Sequence, residues 1–186
     1  RVKKNFISLV NSKNEILKSL SKNYKNNFTK KITTKFKKLP NFRVIGMGGS
    51  VLGSQAIYDF LKIKIKKNFL FVNNLQSKRS NKNKSNYSNL VISKSGNTIE
   101  TIVNANILIK KKEKNIFITE KRNSYLYNLA QKLKADVIHH NNFIGGRYSV
   151  LSEVGMLPSE LMGLNSSNFR QLNNLIKNKR FINSLI

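Results

Sequence analysis

The chain has 186 residues, with 35 lysines and arginines against 8 acidic residues and a formal net charge of +27 at pH 7. This length suits one domain of ordinary size with a sizeable core. The sequence contains no cysteine, which excludes a disulfide framework and thiolate chemistry. It also has no run of about 18 apolar residues that would indicate a membrane span.

The high positive charge raises the question of nucleic-acid binding. The lysines are scattered through all the predicted elements, and no homeodomain, zinc-finger or RNA-recognition pattern is present. Lysine, asparagine and isoleucine are abundant together, as A/T-rich coding produces. We therefore interpret the charge as compositional bias. It should attract anionic sugar phosphates, and we predict only weak, salt-labile binding of nucleic acids and other polyanions.

Residues 2–38 are predicted to be helical, and residues 1–39 to form an amino-terminal segment. A partial stripe of apolar side chains supports the helix, and a break near residues 23–27 divides it in two. Pro40 marks the boundary before the first strand. The amino end lacks the apolar core of a secretory signal, so we expect a cytoplasmic protein. It also lacks an initiator Met, so we expect a fragment or a processed product.

From Pro40 onward, short apolar runs alternate with helical patterns. Strands are predicted at residues 42–47, 68–73, 90–93, 115–119 and 136–140. Helices are predicted at residues 50–62 and 98–109, after an N-cap at Ser124, beyond Pro158, and in a tail over residues 166–186. The polar residues 76–88 are interpreted as a loop or a frayed short helix. This alternation predicts an α/β fold with a doubly wound, flavodoxin-like parallel sheet and helices on both faces.

The apolar positions of two of these helices predict which side faces the core. In the helix over residues 98–109 the inward residues are Ile99, Ile102, Val103 and Ile107. In the helix after Ser124 they are Leu126, Leu129, Ala130 and Leu133.

A glycine turn follows the first predicted strand, with the sequence Gly46-Met47-Gly48-Gly49-Ser50. Glycines let a ligand approach the backbone closely. By itself this spacing is typical of any dinucleotide or phosphate loop. The third glycine of the dinucleotide fingerprint has no clear place here. Ser50 stands at the helix start instead, which suits a monophosphate better than a pyrophosphate.

A hydroxyl-rich segment follows the apolar run at residues 90–92, with the sequence Ser93-Lys94-Ser95-Gly96-Asn97-Thr98-Ile99-Glu100-Thr101. At the carboxyl end of a parallel strand, backbone N–H groups of the next helix and Ser/Thr hydroxyls hold a phosphate. The alternative is a polar strand-to-helix turn with an N-cap.

A third segment runs from Ile144 to Pro158 and contains Gly145-Gly146-Arg147-Tyr148-Ser149. In this order, the three segments closely resemble the phosphoglucose isomerase family. That family carries a Gly-Gly-Ser loop, a Ser-Lys-Thr/Ser-x-x-Thr-x-Glu-Thr phosphate motif and a Gly-Gly-Arg-Phe/Tyr-Ser signature. The resemblance spans residues 43–165. The departures are Ser95, where Thr is common, and Gly96-Asn97, where a Phe-Thr-like pair is often found.

The resemblance implies a sugar-isomerase (SIS) domain over residues 40–165, followed by the start of a missing second half over residues 166–186. The implied substrates are glucose 6-phosphate and fructose 6-phosphate, the implied assembly is a homodimer, and neither a cofactor nor a metal is expected. We predict that the three loops converge on one crevice and hold a hexose monophosphate there. The predicted phosphate-binding residues are Gly49, Ser50, Ser93, Lys94, Ser95 and Thr98.

Arg147 is the candidate that stabilises an enediolate, because its guanidinium stays charged without losing its proton. The alternative is an arginine paired with a carboxylate or packed on Tyr148. Glu100 matches a family residue that supports a catalytic histidine, or it simply favours the helix dipole. His139 and His140, at a strand end, receive no assigned role, and Glu153 is interpreted as structural because the family usually has a small residue there.

Two hypotheses of different class follow. The family's proton-shuttling Glu and its ring-opening His and Lys lie downstream of the Gly-Gly-Arg signature, and residues up to Ile186 offer no convincing match. The first hypothesis is an amino-terminal portion of an isomerase, which binds sugar phosphates without converting them. The second is a stand-alone phosphosugar-binding module with a regulatory or scaffolding role. Arg147 favours the first, since a pure sensor has no need of an enediolate stabiliser.

Overall fold

The computed structural model of the chain describes residues 2–12, 14–76, 86–110, 112–171 and 178–184. Within these ranges the strands are β1 (Asn41–Gly46), β2 (Asn68–Val72), β3 (Ser88–Ile92), β4 (Asn115–Thr119) and β5 (Asp136–His139). The α-helices are α1 (Val2–Val10), α2 (Glu15–Ser19), α3 (Lys30–Lys37), α4 (Leu52–Phe60), α5 (Ile99–Leu108), α6 (Tyr125–Lys132), α7 (Glu153–Leu161) and α8 (Lys179–Ser184). Short 3₁₀ segments lie at Gly48–Ser50, Lys62–Lys64, Gly146–Leu151 and Ser166–Phe169.

The strands form one parallel sheet in the order β2-β1-β3-β4-β5. The chain passes from β1 outward to β2 and then returns to the other side of β1 for β3. This is the flavodoxin-like order, and the prediction of a doubly wound parallel sheet is confirmed. Its topological switch point lies between β1 and β3, which is where open α/β sheets bind ligands.

Both faces of the sheet are buried under helices, and each face has its own core. On one face, Val44 and Ile92 of the strands pack with Phe36 of α3 and with Val154 and Leu157 of α7. On the other face, strand residues such as Ile45 and Phe117 pack with Ala105 of α5 and with Leu126 and Ala130 of α6. Burial on both sides explains the near-continuous apolar strand sequences, which are typical of parallel sheets.

Three predicted elements differ from the structure. In the tail predicted as a helix over residues 166–186, the described residues form the 3₁₀ turn Ser166–Phe169 and the helix α8, with residues 170–171 and 178 non-helical. Residues 172–177 and 185–186 of this prediction lie outside the described ranges.

The amino-terminal segment has a second break, before Glu15, because the Asn14 side chain accepts the Ile16 N–H at 2.8 Å and starts a new helix there. Pro158 lies inside α7 rather than before a helix. A proline costs one backbone hydrogen bond in a helix interior. Burial of most of α7 outweighs that loss.

Ile99 was predicted to face the core, but it is 73% exposed. The buried positions of α5 are Thr101, Asn104 and Ala105. Asn104 is inward because it holds the loop after β2, donating to Asn74 O at 3.0 Å and accepting the Gln76 N–H at 3.0 Å. The predicted inward face of α6 is confirmed, as Leu126 and Ala130 are buried and the two other leucines pack against them.

The interpretation of residues 76–88 as a loop falls largely on residues 77–85, outside the described ranges, and β3 begins at Ser88. None of the helices in the described ranges combines the length and the hydrophobicity that a membrane span requires.

Candidate functional site

The first two predicted loops leave the sheet side by side. β1 and β3 are hydrogen-bonded neighbours, and the register pairs Gly46 with Ile92 at their carboxyl ends. The Gly-Gly-Ser loop follows the first of these residues, and the Ser93 segment follows the second. Both loops therefore border the switch point of the sheet.

The third loop packs directly on the first. A Cβ atom added to Gly49 would lie 2.1 Å from Gly146 O and 2.9 Å from Arg147 N, so only glycine fits at this junction. The Ser149 hydroxyl donates to Gly146 O at 2.7 Å and lies 3.4 Å from Gly49 O. The Gly-Gly-Arg segment is thus held against the Gly-Gly-Ser loop by backbone contact.

The hydroxyl-rich segment is organised by its own side chains. The Ser93 and Thr98 hydroxyl oxygens are 2.9 Å apart, and Ser93 Oγ also accepts the Gly96 N–H at 3.2 Å. Ser95 Oγ accepts the Asn97 N–H at 3.2 Å. Since each hydroxyl has one proton, the Ser93–Thr98 pair keeps one proton that can be donated to another acceptor. Ser93 is buried, whereas Ser95 is half-buried at the rim.

The departures at Gly96 and Asn97 have a structural reason. Gly96 has φ +69°, and a Cβ there would meet Ser124 Oγ at 2.2 Å. The Asn97 side chain accepts the Tyr125 N–H at 2.9 Å. Ser124 is the N-cap of α6, as predicted. The amino end of α6 therefore docks on this loop, and a bulky residue at position 96 would displace it.

Lys94 lies within this segment, but its ammonium group points to another loop. Its Nζ donates to Asn142 O at 2.7 Å and lies 4.0 Å from Glu120 Oε1. Asn142 belongs to the connection between β5 and Arg147, which we name the β5–Arg147 loop (residues 140–146). The Lys94 side chain thus bridges the second predicted loop and the residues that lead into the third.

Arg147 lies exposed in the 3₁₀ turn Gly146–Leu151. Among the described residues it makes neither an ion pair with a carboxylate nor a stacking contact with Tyr148. It borders an open groove of about 970 Å³ together with Gly49, Gly53 and Val150. Ser50 is half-buried at the end of the 3₁₀ turn Gly48–Ser50, just before α4, and is not among the described residues that line this groove. Glu100 is half-buried in the first turn of α5.

A buried polar cluster behind the Gly-Gly-Arg turn was not predicted. Arg170 is 4% exposed and donates to Leu151 O at 2.7 Å and to Tyr24 O at 3.3 Å. Glu153, at the start of α7, is fully buried and accepts the Asn141 N–H at 2.7 Å and the Tyr24 hydroxyl at 3.3 Å. Burial, reinforced by the negative charge of Glu153, raises the pKa of Tyr24 to about 12. The one sequence signal was a glutamate where the family usually has a small residue.

His140 is fully buried beside this cluster, with its Nδ1 3.1 Å from Asn141 O. Its Nε2 has no hydrogen-bond partner among the residues the structure describes. Burial lowers the pKa of His140 below 6.5, against the opposing effects of the Asn141 carbonyl and the charge of Glu153. The imidazole is therefore neutral at pH 7.

We expect this histidine to make the fold less stable in mild acid. The folded pKa lies below the unfolded value of 6.5, so the unfolded chain binds the proton more readily, and stability falls as the pH drops below that value. Urea unfolding at pH 7.5, 6.5 and 5.5 should show this fall in the parent chain and in His139→Gln. His140→Gln should show a shallower fall, and an equal slope in all three proteins would contradict the assignment.

The chain matches the model of a known protein family over nearly its whole length. The model for phosphoglucose isomerase matches residues 3–183. The chain belongs to the phosphoglucose isomerase family. The glucose-6-phosphate isomerase of Acholeplasma laidlawii is 38% identical over 155 residues, which cover 72% of this chain and 36% of that protein. The corresponding protein of Methanocaldococcus jannaschii is 32% identical over 168 residues, covering 78% of this chain and 41% of that protein.

Solved structures share the fold of this phosphoglucose isomerase family member. A hypothetical protein of Thermus thermophilus superposes with a TM-score of 0.70 at 17% identity, covering 94% of this chain and 46% of that one. Tagatose-6-phosphate ketose/aldose isomerase from Escherichia coli superposes with a TM-score of 0.58 at 16% identity, covering 77% and 44%. The chain spans well under half the length of the two curated relatives, at 36% and 41%.

Proposed function

We propose that this chain is the phosphosugar-binding portion of a glucose-6-phosphate isomerase, which interconverts glucose 6-phosphate and fructose 6-phosphate through a cis-enediolate. The backbone contact between Gly49 and Gly146 supports this most directly. It joins the first and third family motifs beside the switch point, where the second motif also begins. A hexose monophosphate held there would touch all three motifs.

The phosphate would be held by side-chain hydroxyls and by backbone N–H groups at Gly49 and Lys94. Ser50 and Ser95 are half-buried at the rim of the sheet, and the Ser93–Thr98 pair supplies one further donor. A phosphate dianion accepts several such hydrogen bonds, and those bonds are strong because one partner is charged. The loop is already folded around its own hydroxyls, which reduces the entropy lost on binding.

Arg147 would stabilise the negative charge that develops when a proton moves between C1 and C2. Its guanidinium stays charged at working pH. Because it is exposed and has no ion pair in the described part of the chain, it is available to a ligand. Loss of such a donor typically costs a factor of about 10²–10³ in turnover. Glu100 would support the histidine of the completed site.

The base and the ring-opening groups are expected in the part of the relatives that this chain does not cover. We therefore propose that the 186 residues bind substrate without converting it, and that the intact protein is a homodimer. An isomerase assay of the chain, alone and with a co-expressed carboxyl-terminal half, tests this. Activity from the chain alone would contradict the division of roles, and inactivity of the pair would favour a phosphosugar-binding regulatory module.

The binding proposal is tested with Ser95→Ala. Isothermal titration with glucose 6-phosphate should show binding by the parent chain and about a tenfold or greater loss of affinity in the variant, because a charge-assisted hydrogen bond contributes about 1.5–3 kcal/mol. Ser21→Ala is the matched control. Ser21 Oγ accepts the Asn23 N–H at 3.2 Å, the same local bond that Ser95 makes, but outside the three motifs.

The control should bind as the parent does. If Ser95→Ala also retains full affinity, Ser95 is not part of the phosphate site. If the parent chain shows no affinity for glucose 6-phosphate, the proposed function is wrong.

A further inference from the structure

The β5–Arg147 loop is fastened at two consecutive residues. The Asn141 N–H donates to Glu153 Oε1 at 2.7 Å, and the Asn142 carbonyl accepts the Lys94 ammonium at 2.7 Å. Beyond them, the loop is anchored again by the fully buried Ile144. The polar bonds therefore set the path of the loop between the end of β5 and the glycines before Arg147.

The carboxylate of Glu153 is positioned to bind this loop. It is fully buried at the first position of α7, where the helix dipole favours a negative charge. A buried charge is tolerated only when it is hydrogen-bonded. Glu153 meets that need with the Asn141 N–H on one oxygen and the Tyr24 hydroxyl at 3.3 Å on the other. The Asn141 side chain donates to the same Tyr24 oxygen at 3.4 Å.

The ammonium of Lys94 binds the loop at the next residue, Asn142. Besides its bond to Asn142 O, it lies 4.0 Å from Glu120 Oε1, whose carboxylate is also bound by Arg122 at 2.9 Å. The side chain is about two-thirds buried, with 32% exposed. It thus connects the second family motif to the loop that leads into the third.

We propose that Glu153 and Lys94 are positioning residues of the phosphosugar site. Together they hold the β5–Arg147 loop so that Arg147 faces the Gly-Gly-Ser loop, and the Lys94 ammonium acts on this loop rather than on the phosphate. The part of this inference that concerns ligand affinity rests on the proposed function. The part that concerns the loop does not.

Hydrogen exchange of the ligand-free full chain separates these two parts. Peptides covering residues 140–148 should exchange about tenfold or more faster in Glu153→Ala and in Lys94→Ala than in the parent, because each change removes an anchor. Glu153→Gln keeps an acceptor for the Asn141 N–H and should exchange within about threefold of the parent. Glu160→Ala is the control, because this carboxylate of the same helix binds Ser166 at 2.7 Å instead of the loop.

Glucose 6-phosphate titrations of the same variants complete the test. Affinity should fall about tenfold in Glu153→Ala and recover in Glu153→Gln, whereas a purely structural glutamate would lower the unfolding midpoint without changing the affinity of the folded chain. Unchanged loop exchange in Lys94→Ala together with lost affinity would show that Lys94 contacts the phosphate, and would overturn its assignment.

Unchanged loop exchange in Glu153→Ala, or equal effects of Ala and Gln at this position, would overturn the role of Glu153. If Glu153→Ala fails to fold, the loop exchange and glucose 6-phosphate affinity of Lys94→Ala and Glu153→Gln still test the proposal. If the variants show faster loop exchange but the parent chain does not bind glucose 6-phosphate, the loop anchors are supported and the proposed function is rejected.

Discussion

Replacement of Gly49 by alanine should separate the first and third loops and abolish glucose 6-phosphate binding. The added Cβ would lie 2.1 Å from Gly146 O and 2.4 Å from Gly146 C, both backbone atoms. A backbone neighbour cannot rotate away as a side chain can, so the loops must move apart. Such overpacking typically costs about 1–3 kcal/mol of stability. It would also move the Arg147 backbone away from the Gly-Gly-Ser loop, since the added Cβ would lie 2.9 Å from Arg147 N.

Gly146→Ala is the matched control, because it adds the same methyl group on the other side of the same contact. A Cβ at Gly146 would meet nothing within 4 Å, so the free energy of unfolding should stay within about 0.5 kcal/mol of the parent value. Urea unfolding and glucose 6-phosphate titration measure the two effects. Parent-like affinity in Gly49→Ala would mean that the contact between the loops is not needed for binding.

Replacement of Arg170 by alanine should give the largest loss of stability, about 3 kcal/mol or more, because it leaves two buried carbonyls without this donor and each unsatisfied buried polar group typically costs about 1–3 kcal/mol. Arg170 donates to the Leu151 and Tyr24 carbonyls. Its guanidinium lies 5.0 Å from the centre of the Tyr24 ring. It also interacts electrostatically with the Glu153 carboxylate. Without it, two buried carbonyls lose donors and Glu153 loses a compensating charge.

Denaturant unfolding of three variants checks this expectation. Arg180→Ala removes the same side chain from an exposed position of α8 and should change stability by less than about 0.5 kcal/mol. Arg170→Lys keeps the positive charge but loses the planar guanidinium with its several N–H donors. Its free energy of unfolding should therefore lie between those of the parent and Arg170→Ala. A loss below about 1 kcal/mol in Arg170→Ala would show that water replaces the arginine, and that the cluster does not hold the amino-terminal segment.

The same arginine links stability to the site. Leu151, whose carbonyl Arg170 binds, is the last residue of the 3₁₀ turn that carries Arg147, and Tyr24 contacts the carboxylate that holds the β5–Arg147 loop. Through Tyr24, the helical segment before the sheet therefore contacts the residues that hold the candidate site.

The buried polar network shows where sequence patterns stop being informative. Tyr24 and Arg170 lie far apart in the chain, and neither belongs to an apolar period or a family motif. Their bonds to each other and to Leu151 depend on how α7 and the amino-terminal segment meet. The predicted inward position of Ile99 was also wrong: it is 73% exposed at the first position of α5. The polar residue Asn104 is buried instead, where its side-chain amide binds the loop after β2.

The sequence by itself determined the parallel sheet, the chain positions of its strands and the family to which the chain belongs. Apolar runs buried on two faces, and short loops with characteristic residues, carry that information locally. Only the tertiary structure decided that Gly49 touches Gly146, that the Lys94 ammonium bridges to Asn142, and that Glu153 anchors the loop before Arg147. These contacts join residues distant in sequence, and such pairings arise when the packed sheet and helices bring their ends together.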